Sequence, residues 1–413
     1  MSSAHSDMAT SAYLRRMNQR RVIESVVRLR RASRAELART AGMSQPTVSR
    51  IVDDLLGRGI LMESDNALAA GSGNGNGQAP GVGSDVTATA LAAAPPPVVA
   101  SSVGRPSTPL ELDRRRPRFV VVQVGVRRTR LAMLPFAIPE IDRWDHEFDT
   151  PTSPDRWAQQ VADIWESVRV KGLKAAVVSL SGVIDEHTGR VFLSPNLRWS
   201  EQADLAHVLK LIYNTTILFV HEIRALALGQ LALEHDIGDF LLVDSGSGVG
   251  AAAIAGGRLY SGPLPLSGEL GHNPVPGNSR ACGCGAIGCV ETLISRAGLV
   301  QSGCEDLGRQ VTWRELLPIL AENPTPNWLK RSLDAGAVSI ASALNVLGLR
   351  QVLLTGALAE LPPAAIDYLS DRIRADAMWA RFGSITCRTA SRHRQAGMVS
   401  LAIERTLLAP RAH

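Results

Sequence analysis

The chain has 413 residues, of which 45% are hydrophobic, 20% charged and 4% aromatic. That length exceeds what one hydrophobic core usually fills, and the composition excludes a fibrous repeat or a chain disordered throughout. The formal charge of +5 is local: residues 1–63 hold eleven arginines against six acids, and the remainder of the chain balances. A compact basic segment attached to a neutral body points to a nucleic-acid-binding module.

The first thirty residues mix polar and basic groups where a signal peptide needs an apolar run. Residues 86–103 are weakly apolar but include three consecutive prolines, so no membrane span is expected. Of five cysteines, three fall between positions 282 and 289. Without an export signal, that clustering favours metal ligation over disulfides, and a reducing cytoplasm is the expected compartment.

In chain order, Leu14, Met17, Val22, Val26 and Leu29 recur at helical spacing with arginines between them. Ser33 opens Ser-Arg-Ala-Glu, a capping box with Glu36 ahead of a short helix through residues 37–40. Ala41-Gly42-Met43 makes a tight turn. Ser44 then caps a third helix carrying Pro46 in its first turn, with Val48, Ile51 and Leu55 facing inward. Gln45, Thr47, Ser49 and Arg50 are left near the helix start, the end a recognition helix presents to base edges. A three-helix bundle without a DNA role would share this core pattern, but the charge asymmetry favours a helix-turn-helix.

Gly57-Arg58-Gly59-Ile60-Leu61 reads as the start of a wing. Residues 64–103 are low in complexity, with no aromatic, Lys or Arg, and are expected to be disordered. Val103-Gly104-Arg105-Pro106 and Pro109-Leu110-Glu111-Leu112 follow as a second wing strand, which makes the low-complexity stretch an insertion at the tip of the wing. Arg105 is placed to enter a narrow minor groove; an ordinary loop arginine is the alternative. The expected domains are 1–63 for the helix-turn-helix and first wing strand, 64–103 for the insertion, 104–116 for the second wing strand and linker, and 117–413 for the body.

Within the body, residues 119–126 and 129–136 read as paired strands, 154–170 as a helix, 175–180 as a buried strand and 201–213 as a helix. Residues 217–220 form a strand running into a helix at Glu222. A strand over 240–244 leads into glycine-rich turns, and helices over 327–347 and 364–379 flank a strand at 351–355. This is an α/β pattern in two lobes. His272, Cys282, Cys284 and Cys289 form a sensible tetrahedral Cys3His zinc set, structural because no position is left for water; a redox or buried cysteine cluster is the alternative. Cys304 and Cys387 are expected in the core.

Glu269-Leu270-Gly271-His272, the run Cys282-Gly-Cys284-Gly-Ala-Ile-Gly-Cys289 and Glu291 together resemble the ROK family of repressors, open reading frames and sugar kinases. The resemblance spans nearly everything outside the first dozen residues and the insertion. It implies an α/β fold in which a winged helix-turn-helix precedes a two-lobed, actin-like ATPase domain of the ROK sugar-kinase type. It also implies sugar hydroxyls at Glu222, Glu269, His272 and Glu291, with His272 serving the zinc as well. Residues 34–39, 44–50 and 104–106 resemble segments of the family's repressor branch.

Departures from the family point away from catalysis. Its kinases open with Asp-x-Gly-Gly-Thr, where this chain has Gln123-Val124-Gly125-Val126-Arg127. The family's catalytic aspartate falls on Glu222, whose extra methylene moves the carboxylate by about an ångström, a shift worth on the order of 100-fold in rate. Gly246-Ser247-Gly248-Val249-Gly250 is partly kept, and the adenosine-side glycine pair has become Gly356-Ala357. His221 replaces an asparagine that bonds a sugar hydroxyl, and Arg224 either recognises an anionic ligand group or is a surface helix residue. The expected protein is a non-enzymatic regulator, a repressor of carbohydrate-metabolism genes. Its partners are operator DNA and a sugar effector, its cofactor zinc, and its assembly a homodimer or homotetramer. A sugar kinase carrying a DNA-binding head is the alternative, and a regulator answering to a protein partner is a third reading.

Overall fold

The computed structural model describes residues 3–64, with side chains from Leu14, together with 108–262 and 268–408. The chain divides into two compact units, Met1–Leu112 and Asp113–His413.

The first unit contains α1 (Ser3–Leu29), α2 (Arg34–Ala41), α3 (Gln45–Gly57), β1 (Leu61–Glu63) and β2 (Leu110–Leu112). The capping box forms as expected: Ser33 Oγ accepts from the Glu36 amide at 3.2 Å, and the Glu36 carboxylate accepts from the Ser33 amide at 2.8 Å. Gly42 closes α2 in the left-handed region. Ser44 does not cap α3 through its side chain; its hydroxyl bonds Thr47 Oγ1 at 2.9 Å instead. Val22, Ile23, Val26, Leu37, Val48, Val52 and Leu55 form the core. Ile51 is only half-buried, because α3 is turned so that Val52 takes the inward place. Leu14 and Leu29, at the two ends of the apolar spacing read for α1, are exposed. β1 pairs antiparallel with β2, Leu61 opposite Leu112 and Glu63 opposite Leu110. The insertion and Arg105 lie outside the described residues.

The second unit opens with β3 (Phe119–Val124), β4 (Arg128–Leu134), β5 (His146–Asp149), α4 (Pro154–Val168), β6 (Ala175–Leu180), β7 (Val183–Ile184), β8 (Val191–Leu193), α5 (Leu205–Tyr213) and β9 (Thr216–His221). It continues through α6 (Glu222–Leu233), β10 (Phe240–Ser245), β11 (Val249–Ala255), β12 (Arg258–Leu259), α7 (Glu291–Ile294), α8 (Arg296–Leu307), α9 (Trp313–Glu322) and α10 (Asn327–Leu347). It ends with β13 (Gln351–Gly356), α11 (Pro363–Asp376), β14 (Thr386–Thr389) and α12 (Arg394–Ile403). Beside a small β7-β8 pair, two five-stranded sheets result, ordered β5-β4-β3-β6-β9 and β12-β11-β10-β13-β14. In each, the central strand pairs antiparallel on one side and parallel on the other, so the two lobes share one topology. Their all-buried strands, such as β3 and β6, read as continuous apolar runs because both faces are covered.

The helix expected over 201–213 is broken. A 3-10 turn at Arg198–Gln202 precedes α5, which starts afresh where Asp204 accepts from the His207 amide at 3.0 Å. The helix expected over 364–379 stops at Asp376; the Met378 amide is held by Asn345 Oδ1 at 2.8 Å, and a 3-10 turn follows. Cys304 and Cys387 are half-buried at the rim of the core rather than within it.

Two helices join the lobes. α6 runs from the last strand of the first sheet to the central strand of the second, and α12 packs against it more closely than any side chain would allow. A Cβ built on Gly397 would lie 1.8 Å from the Ala225 carbonyl oxygen, and one on Gly229 would lie 1.9 Å from that of His393. No helix among the described residues is long and apolar enough to cross a membrane.

Candidate functional site

The carboxyl ends of the parallel strands are where an open α/β sheet takes its ligands. Here they carry Gln123 at the end of β3, Glu222 just past β9, Asp244 at the end of β10 and Gly356 closing β13. Gln123, Glu222 and Asp244 line a cavity of about 360 Å³. All four residues read from the sequence as sugar ligands, Glu222, Glu269, His272 and Glu291, line it, beside His221, Ile223, Arg392 and Arg394.

Glu222 is not a free base. Its Oε1 accepts from Gln123 Nε2 at 3.1 Å and from both Nε and an Nη of Arg394 at 2.7 Å. Three donors thus converge on one oxygen and fix the carboxylate in place. Gln123, read from the sequence as standing at the position of the family kinases' aspartate, is one of those donors. His221 caps α6: its Nδ1 lies 3.3 Å from the Ile223 amide, and its Nε2 lies 3.3 Å from the Gly182 amide. Burial lowers the His221 pKa, against the opposing pull of Glu269, Glu222 and Glu186. Arg224 pairs with Glu186 at 2.8 Å and donates to the Tyr260 carbonyl and Ser261 Oγ. It is thus engaged in holding α6 to its surroundings, outside the cavity lining.

On the other side of the cavity, Glu291 Oε2 accepts from the Val249 amide at 2.9 Å within the glycine-rich turn. Asp244 receives a two-pronged bond from Arg392, 2.6 and 2.8 Å, and a third from Thr355 Oγ1 at 2.6 Å. Burial works against the charge on Arg392, but Asp244 outweighs it and raises the arginine's pKa. Arg392 and Arg394 were missed in the sequence. The available signal was a pair of cations at the start of a helix, the end where the helix dipole disfavours them.

His272, Cys282, Cys284 and Cys289 come together with their ligand atoms all within 4.8 Å of one another. The donor spacing fits zinc. Bonds of about 2.3 Å to sulfur and about 2.0–2.1 Å to nitrogen, at tetrahedral angles, imply about 3.8 Å between sulfurs and about 3.6 Å from sulfur to nitrogen. Cys284 Sγ and Cys289 Sγ are 3.8 Å apart, and Cys282 Sγ is 3.6 Å from His272 Nδ1. His272 Nε2 faces Glu269 at 3.5 Å, the carboxylate-histidine arrangement that orients metal-bound imidazoles. Burial pushes the Cys282 thiol up to about 12 and raises Cys289, while the Ala286 amide pulls Cys284 down. A divalent ion held by these four residues would supply the charge that lets all three thiols ionise. Arg280 ties the loop to its neighbours, donating to the Thr292 carbonyl at 2.8 Å and to Glu305 at 2.7 Å.

In the first unit, Gln45 and Arg50 are exposed on α3, and Thr47 and Ser49 are half-buried. Arg34 is drawn to Asp53 at 2.7 Å, bridging α2 and α3.

The sequence profile of the ROK family matches residues 122–403. Over 324 residues the chain is 22% identical to the xylose repressor of Caldicellulosiruptor bescii, spanning 75% of this chain and 72% of that protein. Over 164 residues it is 30% identical to the N-acetylmannosamine kinase of Salmonella newport, covering 39% of this chain and 56% of the kinase. Among solved structures, a ROK family transcriptional regulator, homologous to the E. coli MLC protein, superposes with a TM-score of 0.70 at 16% identity, over 96% of this chain and 98% of its own. At that identity the match speaks for the fold, and the expected class holds: an α/β body of the ROK, actin-like type behind an N-terminal helical unit.

Proposed function

The chain belongs to the ROK family, and on that premise we propose that it is a sequence-specific DNA-binding repressor of carbohydrate-metabolism genes whose body binds a sugar or sugar derivative as effector. The observation that carries the reading is the state of Glu222. Its Oε1 is saturated by Gln123 and Arg394, while Glu269 and Glu291 stand on the same cavity. That arrangement suits hydrogen bonding to hydroxyls rather than proton abstraction from one. The xylose repressor relative makes pentoses the first effectors to test.

In this reading Gln45, Thr47, Ser49 and Arg50 meet base edges in the major groove and Arg105 enters the minor groove. The head comprises 1–63 and 104–116, with 64–103 a disordered insertion, and 117–413 is the effector domain. Zinc at His272, Cys282, Cys284 and Cys289 is structural and orders the loop that carries Glu291. The protein acts in the cytoplasm as a homodimer or homotetramer on a palindromic operator. Sugar binding controls DNA affinity only if it favours one arrangement of the body over another.

The test is capture of sheared genomic DNA by the zinc-loaded protein, with sequencing of the retained fragments. One enriched palindromic site, released by a sugar, is expected. Retention without enrichment, sensitive only to salt, would sink the proposal. The kinase alternative draws on the local match to a sugar kinase, and sugar-dependent ADP release would establish it instead.

A further inference from the structure

Neighbouring parallel strands β10 and β13 end side by side, and the loops that leave them form a crevice of the kind that takes ligands. Its walls are built for close approach. β10 runs into the turn Gly246-Ser247-Gly248-Val249-Gly250, and β13 ends on Gly356 at φ +71°. Glycine-rich turns let a phosphate approach the backbone closely, although here the Gly246 and Val249 amides are taken by the Gly248 carbonyl and Glu291.

The chain fills this crevice itself. Nη2 of Arg392 lies 3.0 Å from where a Cβ on Gly246 would be and 2.3 Å from where one on Gly356 would be, so the guanidinium sits between the two turns. It grips Asp244 with two bonds and reaches the Ser245 carbonyl at 3.3 Å. Two residues on, Arg394 takes Glu222. A single tripeptide, Arg392-His393-Arg394, thus neutralises one carboxylate from each lobe. It is held there by the start of α12: Asp142 accepts from the amides of Arg394 at 3.2 Å and Gln395 at 3.0 Å, and Gln395 Oε1 accepts from the Arg143 amide at 2.9 Å.

We propose that Arg392 is a built-in occupant of a phosphate crevice, which gives Asp244 the positive partner a metal-bound nucleotide would bring and so bars nucleoside di- and triphosphates from the cleft. The rest of the same cavity, toward Glu269 and Glu291, stays open. Effector binding then needs no nucleotide, and a nucleotide does not modulate it. A nucleotide entering the crevice would have to break a fork-on-carboxylate pair that lysine could not reproduce.

The experiment measures Mg-ATP and Mg-ADP binding to the full-length protein by calorimetry, for the wild type, Arg392→Ala and Arg392→Gln, with thermal denaturation to verify folding. The wild type is expected to show no binding at millimolar nucleotide, and Arg392→Ala to gain a measurable site, tighter by about tenfold or more. If the alanine variant does not fold, Arg392→Gln, which keeps a donor for Asp244 without the charge, carries the comparison. Mg-ATP binding by the wild type would overturn the proposal, as would folded variants that bind no better than it. None of these arms reads sugar or DNA, so their failure is separate from failure of the repressor reading.

Discussion

Replacing Gly397 by alanine tests whether α6 and α12 act as one rigid crossing. The added Cβ would sit 1.8 Å from the Ala225 carbonyl oxygen and 2.8 Å from both the Ala225 carbonyl carbon and the Gly229 amide nitrogen. Ordinary contact needs about 3.5 Å, so the helices must part by well over an ångström. The obstacles are backbone atoms, which cannot rotate away as a side chain could. Overpacking of this kind costs about 1–3 kcal/mol, with the upper end apt here because backbone must move. At about 3 kcal/mol, the melting midpoint of a body this size should fall by about 5 °C. The effect should also reach the cleft, because α6 begins at Glu222 and α12 at Arg394. Parting the helices stretches that pair, and effector affinity should drop with stability. Differential scanning calorimetry of the zinc-loaded protein, with and without effector, measures both. A variant melting within about 1 °C of the wild type, with unchanged effector affinity, would refute the reasoning.

Three further outcomes are expected. Cys289→Ser leaves the metal set one thiolate short, so bound zinc, measured by elemental analysis, should fall well below about one ion per chain, and chelation of the wild type should lower its melting midpoint in the same way. Asp142→Asn tests a buried carboxylate: burial raises the Asp142 pKa despite the amides of Gln395 and Arg394 and the charge of Arg394. With the folded value above the unfolded one of about 3.9, the group favours the fold below that pH, and the advantage is lost as pH rises through the folded value. The amide variant should therefore show a flatter stability profile above about pH 4 in urea titrations, with a lower midpoint throughout because it keeps only one of the two oxygens that accept from the Arg394 and Gln395 amides; a pH profile as steep as the wild type's would contradict this. Arg50→Ala, on the exposed start of α3, should weaken operator binding by about 1–3 kcal/mol if it reads a base, whereas an equal loss on all sequences with a shallower salt slope would assign it to phosphate.

Features coded by close neighbours were legible in the sequence. The metal set lies within eighteen residues, and the Ser33–Glu36 capping box within four. α10 has the bounds read for it because Pro326 precedes it and Gly348 ends it in the left-handed region. Ambiguity entered where periodicity has two solutions: Val48-Ile51-Leu55 and Val48-Val52-Leu55 both fit a helical face, and only packing against α1 and α2 selects the second. The arginine pairs were illegible for a different reason. Arg392 and Arg394 meet their partners across 148 and 172 residues, through a sheet order that no local pattern encodes. The matching topology of the two lobes escaped notice for the same cause, since it resides in strand order rather than in repeated side chains.

The same long-range wiring explains how ligand binding in the cavity could act on the rest of the body. Glu222 and Arg394 are the first residues of the two helices that join the lobes, and those helices touch backbone to backbone at Gly229 and Gly397. A hydroxyl-bearing effector that bonds Glu222 competes for a carboxylate already committed to Arg394, and any change in that pair displaces the start of one helix relative to the other. Had side chains separated the helices, rotamer changes would absorb the shift locally. With glycine at the crossing there is nothing compliant to absorb it, and close-packed interiors respond by moving as rigid pieces between discrete arrangements. On the proposed reading, the tight crossing turns a hydrogen-bond exchange in the cavity into a rotation of one lobe against the other.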